Sequence, residues 1–266
     1  MRMGVFYLAT SVYMQYFSKY FFKTMHNIFP EDEKEIVVLT DNIPTEYDNC
    51  KVKNCNLHFE KIIDFPYPLI NLCKFQIIDE YAKKYNIDIV LFFDADTVIF
   101  KKDIEFWNSL KQKCLDNKNT LIMSRHPHYV YNENYNFMTD FFFPNRDRSC
   151  SNITPEQLNI VNEQKTYIIA SFFMGYKDAL SDYAKKVHVM THNNLVNLHW
   201  MPYLPEENYI NIINLRENLS IDLDYYITMN NRHSSSIWET DVPEKQNVFM
   251  RQKFDDSIKN AKKYQI

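Results

Sequence analysis

Hydrophobic positions near the start of the chain alternate between strand-like runs and helical spacing. The run from Met3 to Thr10 predicts a buried strand, and Glu35 to Thr40, "EIVVLT", predicts a second one, ended by a "DN" turn. Between them, apolar side chains recur every three or four positions, as in an amphipathic helix: Tyr13, Phe17, Tyr20, Phe21 and Ile28. This order predicts a βαβ opening.

The same alternation continues through the middle of the chain. Helical spacing over Pro68 to Tyr85 leads directly into a strand that ends at Asp94. Further on, "DIEFWNSLKQKCL" predicts a helix, "TLIMS" and "YIIASFFMGY" predict strands, and "KDALSDYAKKVHVM" predicts a helix. Because strands alternate with helices, we expect an α/β fold with a central, mainly parallel sheet flanked by helices, as in Rossmann-like proteins.

Composition favours one folded domain and argues against a nucleic-acid partner. The 266 residues contain no Gly/Ser/Pro-rich linker, and 45% of them are hydrophobic, which is enough for a sizeable core. The net charge of -4 gives no positive footprint for nucleic acid.

Cysteine usage and hydropathy predict a cytoplasmic location. The five cysteines match neither a zinc site nor a disulfide framework, so we expect free thiols in a reducing compartment: Cys50, Cys55, Cys73, Cys114 and Cys150. No apolar run reaches the ~18 residues of a membrane span. Aromatic and Lys-rich exposed faces would allow peripheral contact with the inner face of a membrane.

Two aspartates follow a buried strand in the stretch "IVLFFDAD". Ligands of open parallel sheets bind beyond the carboxyl ends of the strands, where Asp94 and Asp96 are expected. Their carboxylates could hold one Mn²⁺ or Mg²⁺ with a diphosphate, although a solvated Asp-x-Asp turn is the simpler alternative.

The same stretch also fits a different enzyme class. "FFDADTV" matches the motif of haloacid-dehalogenase-like phosphatases, with Asp94 as the nucleophile and Ser124 in the second motif. That class should end with an acidic pair after a hydrophobic strand, whereas Asp255 and Asp256 follow the charged segment "MRQKF". A third alternative is a non-catalytic carbohydrate-binding protein that uses the aromatic segment Tyr129 to Phe143.

Seven segments in order resemble glycosyltransferase family 6, the blood-group A/B and α-1,3-galactosyltransferase relatives, including short bacterial members. The resemblance extends from about residue 3 to about residue 228 through "LATSVYMQYFSKYFFKTM", "VVLTD", "FPYPLINLCKF", "FFDAD", "RHPHYV", "YIIASFFMG" and "PEENYINIINL". It implies a GT-A type fold and a retaining transfer of galactose or N-acetylgalactosamine from a UDP donor, with α-1,3 linkage. The implied acceptor is an oligosaccharide or lipid-linked glycan in lipopolysaccharide or oligosaccharide biosynthesis.

The resemblance assigns the nucleotide and metal residues. It implies that Asp94 and Asp96 bind Mn²⁺ or Mg²⁺, because relatives that work without metal carry Asn-x-Asn instead. It implies a nucleotide site formed by Leu8, Ala9, Thr10, Tyr13, Tyr67 and Lys74. Tyr67 stands where the family usually has Trp, and Lys74 where many members have Arg. From spacing alone, Tyr13 could equally be an aromatic residue that faces the core.

The resemblance also assigns the sugar and catalytic residues. Ala170, Ser171 and Glu206 would contact the donor sugar, and His126 the acceptor. Glu207 would be the nucleophile or ion-pair stabiliser, a match supported by Asn211 four residues later. The start "PEE" is also an ordinary helix N-terminus, which would explain Glu206 as a capping acid.

The implied organisation is a single GT-A-like catalytic domain over residues 1-266. Residues 1-100 would form the nucleotide-binding half and residues 101-228 the half for acceptor and donor sugar. Residues 229-266 would form a C-terminal tail or lid.

Overall fold

A computed structural model describes residues 1–47, 50–65, 69–95, 97–99, 104–125, 168–197, 205–217, 220–222, 226–229 and 248–252. The strands are β1 (Met3–Leu8), β2 (Lys34–Thr40), β3 (Cys55–Lys61), β4 (Ile89–Asp94), β5 (Thr97–Ile99), β6 (Leu121–Arg125), β7 (Ile168–Tyr176), β8 (Ser220–Asp222), β9 (Tyr226–Met229) and β10 (Val248–Gln252). The α-helices are α1 (Met14–Tyr16), α2 (Phe22–Thr24), α3 (Leu69–Lys84), α4 (Ile104–Asp116), α5 (Lys177–His192) and α6 (Pro205–Glu217).

Seven strands form one mixed sheet in the order β3-β2-β1-β4-β7-β6-β8. Strands β1 to β4 pair in parallel, and β6 pairs in parallel with β8. Strand β7 runs antiparallel to both of its neighbours, β4 and β6. The predicted α/β class with a mainly parallel sheet and flanking helices is confirmed, and the βαβ opening is also confirmed.

The helical segment after β1 is not one regular α-helix. The turns α1 and α2 are separated by the π-helix Phe17–Phe21 and flanked by the 3-10 turns Ser11–Tyr13 and Met25–Asn27. Its predicted apolar face is nevertheless buried, because Phe17, Phe21 and Met25 pack against the sheet.

Hydrophobic cores cover both faces of the sheet. Phe6, Val90 and Phe92 point to the face covered by α3, α5 and α6. Tyr7 and Phe93 point to the opposite face, which the helical segment and α4 cover. Since successive strand residues alternate between faces, burial on both sides explains the continuous apolar runs of the central strands.

Strand β3 was not predicted from the sequence. It is an edge strand of the seven-stranded sheet and is only half-buried, with Leu57 and Phe59 packing towards the core between polar neighbours. A half-buried edge strand has a weaker hydrophobic signal than a central one, which explains the omission.

A second, three-stranded sheet forms beside the aspartate motif, in the order β5-β10-β9. Strand β10 pairs antiparallel with β5, so Gln252 lies opposite Thr97. Strand β10 therefore pairs with the backbone that directly follows Asp96.

Four of the five cysteines lie among the described residues. Cys50, Cys55, Cys73 and Cys114 are free thiols, while Cys150 lies outside the described residues. In this part of the chain, no helix is both long enough and apolar enough to cross a membrane.

A side-chain clamp joins α6 to β7. The buried amide of Asn211 accepts a hydrogen bond from the Ile168 N–H at 2.8 Å and donates one to the Ile168 carbonyl at 3.0 Å. Asn211 also donates to the backbone carbonyl of Glu207 at 2.8 Å. The clamp therefore fixes the first turn of α6 relative to the start of β7.

We predict that Asn211→Ala lowers the free energy of unfolding by ~2 to 5 kcal/mol, because it leaves two buried backbone groups of Ile168 unpaired. Urea denaturation measures this change. As a control, Asn197→Ala removes a hydrogen bond to Asn193 between exposed residues and should change stability by less than ~0.5 kcal/mol. Equal effects of the two substitutions would contradict the assigned clamp.

Candidate functional site

The carboxyl end of β4 forms the centre of the candidate site. Asp94 is the last residue of β4 and is in register with Leu8, the last residue of β1. The buried Tyr7 hydroxyl donates a hydrogen bond to the carbonyl of Ala95, the residue between the two aspartates. Tyr7 thereby holds the backbone of the motif against β1.

Lys74 lies inside the protein next to this strand end. Its side chain is on α3 and is only 1% exposed. The Nζ atom donates a hydrogen bond to the Ala170 carbonyl at 2.9 Å and lies 3.8 Å from Asp94 Oδ1. It also lies 5.0 Å from the ring centroid of Phe92. A buried ammonium group needs such partners, because burial without them carries a large desolvation cost.

Glu206, in the first turn of α6, completes the charged cluster. It is 8% exposed, and its Oε1 accepts a hydrogen bond from Asn71 Nδ2 at 2.8 Å. Its Oε2 is buried and has no hydrogen-bond partner. Glu206 also occupies the helix start, as the capping interpretation expected.

The pKa of Glu206 depends on its burial and on the charges near its carboxylate. Burial raises the pKa of Glu206, and the positive charge of Lys74 opposes that rise. The negative charge of Asp94 adds to the rise in this pKa, while the hydrogen bond from Asn71 opposes it. Lys74, Asp94 and Glu206 therefore form one cluster of interacting charges contributed by α3, β4 and α6.

The predicted donor-sugar residues on β7 lie beside this cluster. Ala170 and Ser171 are both buried, and the carbonyl of Ala170 is the acceptor for Lys74. The last paired residues of β4 and β7 are Phe93 and Phe172. The next residue on each strand, Asp94 and Ser171, therefore lies at the same end of the ladder.

The predicted nucleoside residues follow β1, the other neighbour of β4. Ala9 and Thr10 are buried, and the Ala9 N–H donates to the Leu39 carbonyl at 2.9 Å. Tyr13 is half-buried and packs partly against the core, with its ring 6.0 Å from that of Tyr16. The alternative that Tyr13 is an aromatic residue facing the core therefore agrees in part with its position.

Glu207 differs from Glu206 in its surroundings. It is half-buried, and its backbone carbonyl accepts the hydrogen bond from Asn211 described above. Adjacent helical residues point about 100° apart, so the two glutamates face different directions. Its catalytic role remains a prediction.

Three predicted site residues lie outside the described residues: Tyr67, Asp96 and His126. The same is true of the aromatic segment Tyr129 to Phe143 and of the acidic pair Asp255 and Asp256. Ser124, the second residue of the phosphatase alternative, is fully buried on β6, and β7 separates β6 from β4.

The chemistry at the end of β4 suits a hard divalent cation. The described residues contain no group of three or more His, Cys, Asp or Glu that could hold a metal. Mg²⁺ usually takes one or two carboxylates and completes its coordination with water and substrate phosphates. Asp94, together with Asp96 from the sequence, is a donor set of that kind.

Three residues of the site were not predicted. Asn71 orients Glu206, Tyr7 holds Ala95, and Asp41 Oδ1 accepts a hydrogen bond from the Ser11 N–H at 2.6 Å. Ser11 has a φ of 53°, an uncommon value for a residue other than glycine. Only Asp41 had a sequence signal, because it directly follows a predicted strand.

Comparison with known proteins adds no assignment. Neither a protein-family model nor a curated protein matches this chain significantly.

We predict that Glu206→Gln changes the pH dependence of stability. Because the folded state raises the pKa of Glu206 above its ordinary value of 4.5, this residue makes the unfolding free energy fall as pH rises through the folded pKa. The variant lacks this contribution, so the stability difference should shift in its favour as pH rises from about 4 to about 8. Urea denaturation across that range measures it, and a difference that is constant with pH would contradict the assigned cluster.

Proposed function

We propose that this protein is a retaining glycosyltransferase of the GT-A type. It transfers galactose or N-acetylgalactosamine from a UDP donor to a hydroxyl group of an oligosaccharide or lipid-linked acceptor. The observation that carries the proposal is the convergence of Lys74, Asp94, Ala170 and Glu206 at the carboxyl end of β4. The family resemblance had assigned Lys74 to the nucleotide, Asp94 to the metal, and Ala170 and Glu206 to the donor sugar, from separate parts of the sequence.

The charges of this cluster suit a nucleoside diphosphate and its departure. Lys74 supplies a fixed positive charge beside Asp94, and buried positive charge stabilises anionic groups that develop during a reaction. A Mn²⁺ or Mg²⁺ ion held by Asp94 and Asp96 would neutralise charge on the departing diphosphate. The end of β1 adjoins Asp94, and the buried residues Ala9 and Thr10 that follow it would contact the nucleoside.

The family resemblance assigns the carboxylate of Glu207 to the anomeric centre, where a retaining transfer would need such a group. Glu207 either attacks the anomeric carbon, as UDP leaves, or stabilises the positive charge that develops there. In the first route, the acceptor oxygen then displaces the Glu207 carboxylate from the anomeric carbon, and the acceptor proton is released to the departing UDP or to water. The clamp between Asn211 and Ile168 holds this turn of α6 beside β7, where Ala170 and Ser171 lie.

The arrangement of the C-terminal strand agrees with the proposed tail or lid. Strand β10 pairs with β5, which begins immediately after Asp96. This pairing holds residues 248–252 of the proposed tail beside the aspartate motif. Closure of such a segment would exclude water, which protects a glycosyl donor from hydrolysis.

We predict metal-dependent UDP release from one or more UDP-sugars. A panel of UDP-galactose, UDP-N-acetylgalactosamine, UDP-glucose and UDP-N-acetylglucosamine, with Mn²⁺ or a chelator, identifies the donor. Asp94→Asn and Asp96→Asn should each reduce turnover at least ~100-fold, because each removes a carboxylate that would hold the metal ion against the departing diphosphate.

Asp88→Asn is the matched control for these substitutions. Asp88 directly precedes β4, at the opposite end of the strand from Asp94. Its Oδ2 accepts a hydrogen bond from the backbone N–H of Arg2 at 2.8 Å. We expect turnover in this variant to match that of the wild type. Hydrolysis of p-nitrophenyl phosphate without release of UDP from any donor would instead support the phosphatase alternative.

We predict that Glu207→Gln reduces kcat at least ~100-fold while UDP binding is retained, because the amide can neither attack nor balance positive charge at the anomeric carbon. Steady-state kinetics and UDP titration separate the two quantities. Glu217→Gln, at the other end of α6, loses its ion pair with Lys186 and should keep wild-type kcat. Equal kcat values for both variants would contradict the role of Glu207.

A further inference from the structure

The carboxylate of Glu206 has one paired and one unpaired oxygen. Asn71 Nδ2 donates to Oε1 at 2.8 Å, while Oε2 is buried without a partner. Nearly all buried polar atoms in proteins are hydrogen-bonded to protein, water or ligand, so the unpaired Oε2 beside the candidate site is a position where a further group can bind. That group must be a hydrogen-bond donor or a cation.

The surrounding charges favour a neutral donor. Lys74 already provides a cation next to Glu206 and Asp94, and its Nζ is held by the Ala170 carbonyl. A hydroxyl group can donate to Oε2 without adding another charge to this buried position. Sugar hydroxyls are donors of this kind, and the donor sugar is the part of the proposed substrate that would lie beyond the diphosphate.

Asn71 determines which direction the unpaired oxygen faces. It lies three residues before Lys74 on α3, so the two side chains project from the same side of the helix. Its amide binds one carboxylate oxygen and thereby restricts rotation of the carboxylate. No part of the sequence pattern or the family resemblance assigned a role to Asn71.

We propose that Asn71 is a positioning residue for sugar recognition. It orients Glu206 so that Oε2 accepts a hydrogen bond from a hydroxyl of the sugar in the UDP donor. This inference rests on the proposed function, and it deepens that function by naming how the sugar, as distinct from UDP, is bound.

The test compares the affinity for UDP with that for the UDP-sugar that the wild-type protein binds most tightly. Isothermal titration calorimetry with Mn²⁺ and without acceptor gives both dissociation constants. Asn71→Ala should weaken UDP-sugar binding about tenfold to a hundredfold and leave UDP binding within about twofold, since one hydrogen bond to a charged group is impaired. Glu206→Gln should produce the same split, so the test does not depend on the folding of a single variant.

Gln76→Ala is the matched control on the same helix. Gln76 Nε2 donates to the Ala184 carbonyl at 3.0 Å and so joins α3 to α5, as Asn71 joins α3 to α6. This variant loses a comparable hydrogen bond between helices but keeps the hydrogen bond from Asn71 to Glu206. We expect both dissociation constants to remain at wild-type values.

The possible results separate failure of this inference from failure of the proposed function. Wild-type affinity for UDP-sugars with no selective loss in Asn71→Ala or Glu206→Gln would overturn the role of Asn71 alone. Equal weakening of UDP and UDP-sugar would show a general structural role and would also overturn it. A selective loss of Mn²⁺ affinity would place a cation at Oε2 instead. Absence of binding to UDP and to every UDP-sugar would overturn both proposals.

Discussion

The buried ammonium group of Lys74 is the constraint on which the site depends. It is almost fully enclosed, so its charge must be satisfied by partners within the fold. Those partners come from three separate strands and helices: the Ala170 carbonyl, the Asp94 carboxylate and the nearby charge of Glu206. Formation of this cluster therefore requires α3, β4, β7 and α6 to be in place together.

This dependence explains why the fold and the site are difficult to separate. The Asn211 clamp sets the start of α6 against β7, and the Asn71 hydrogen bond sets the same turn against α3. Each contact satisfies buried polar atoms and also fixes the turn of α6 that contains Glu206 and Glu207. A substitution here would affect both stability and binding, which is why matched control variants at Gln76 and Glu217 are needed.

The central elements could be predicted because their residues are buried on one or both faces. β1, β2, β4 and β7 each contain an apolar run, and α3 and α5 each contain helical spacing. The half-exposed edge strand β3 lacks such a run, and the antiparallel direction of β7 cannot be recognised from its composition. Local periodicity predicts that β7 is a strand, but it contains no information on the direction in which that strand runs in the sheet.

The site could be predicted in part. Position after a buried strand identified Asp94, and the family resemblance supplied Lys74, Ala170 and Glu206. Asn71 could not be found in this way, because its partner Glu206 is 135 residues away in the sequence. Likewise, only the folded structure shows that Lys74 is buried, since a lysine on a helix is usually solvated.

The most direct measurement is a crystal structure of the protein grown with UDP and Mn²⁺. We expect a diphosphate at the carboxyl end of β4 next to Asp94 and Lys74, with the nucleoside against the residues that follow β1. UDP bound elsewhere on the protein, or none at saturating concentration, would contradict the assignment of this cluster as a nucleotide-sugar site.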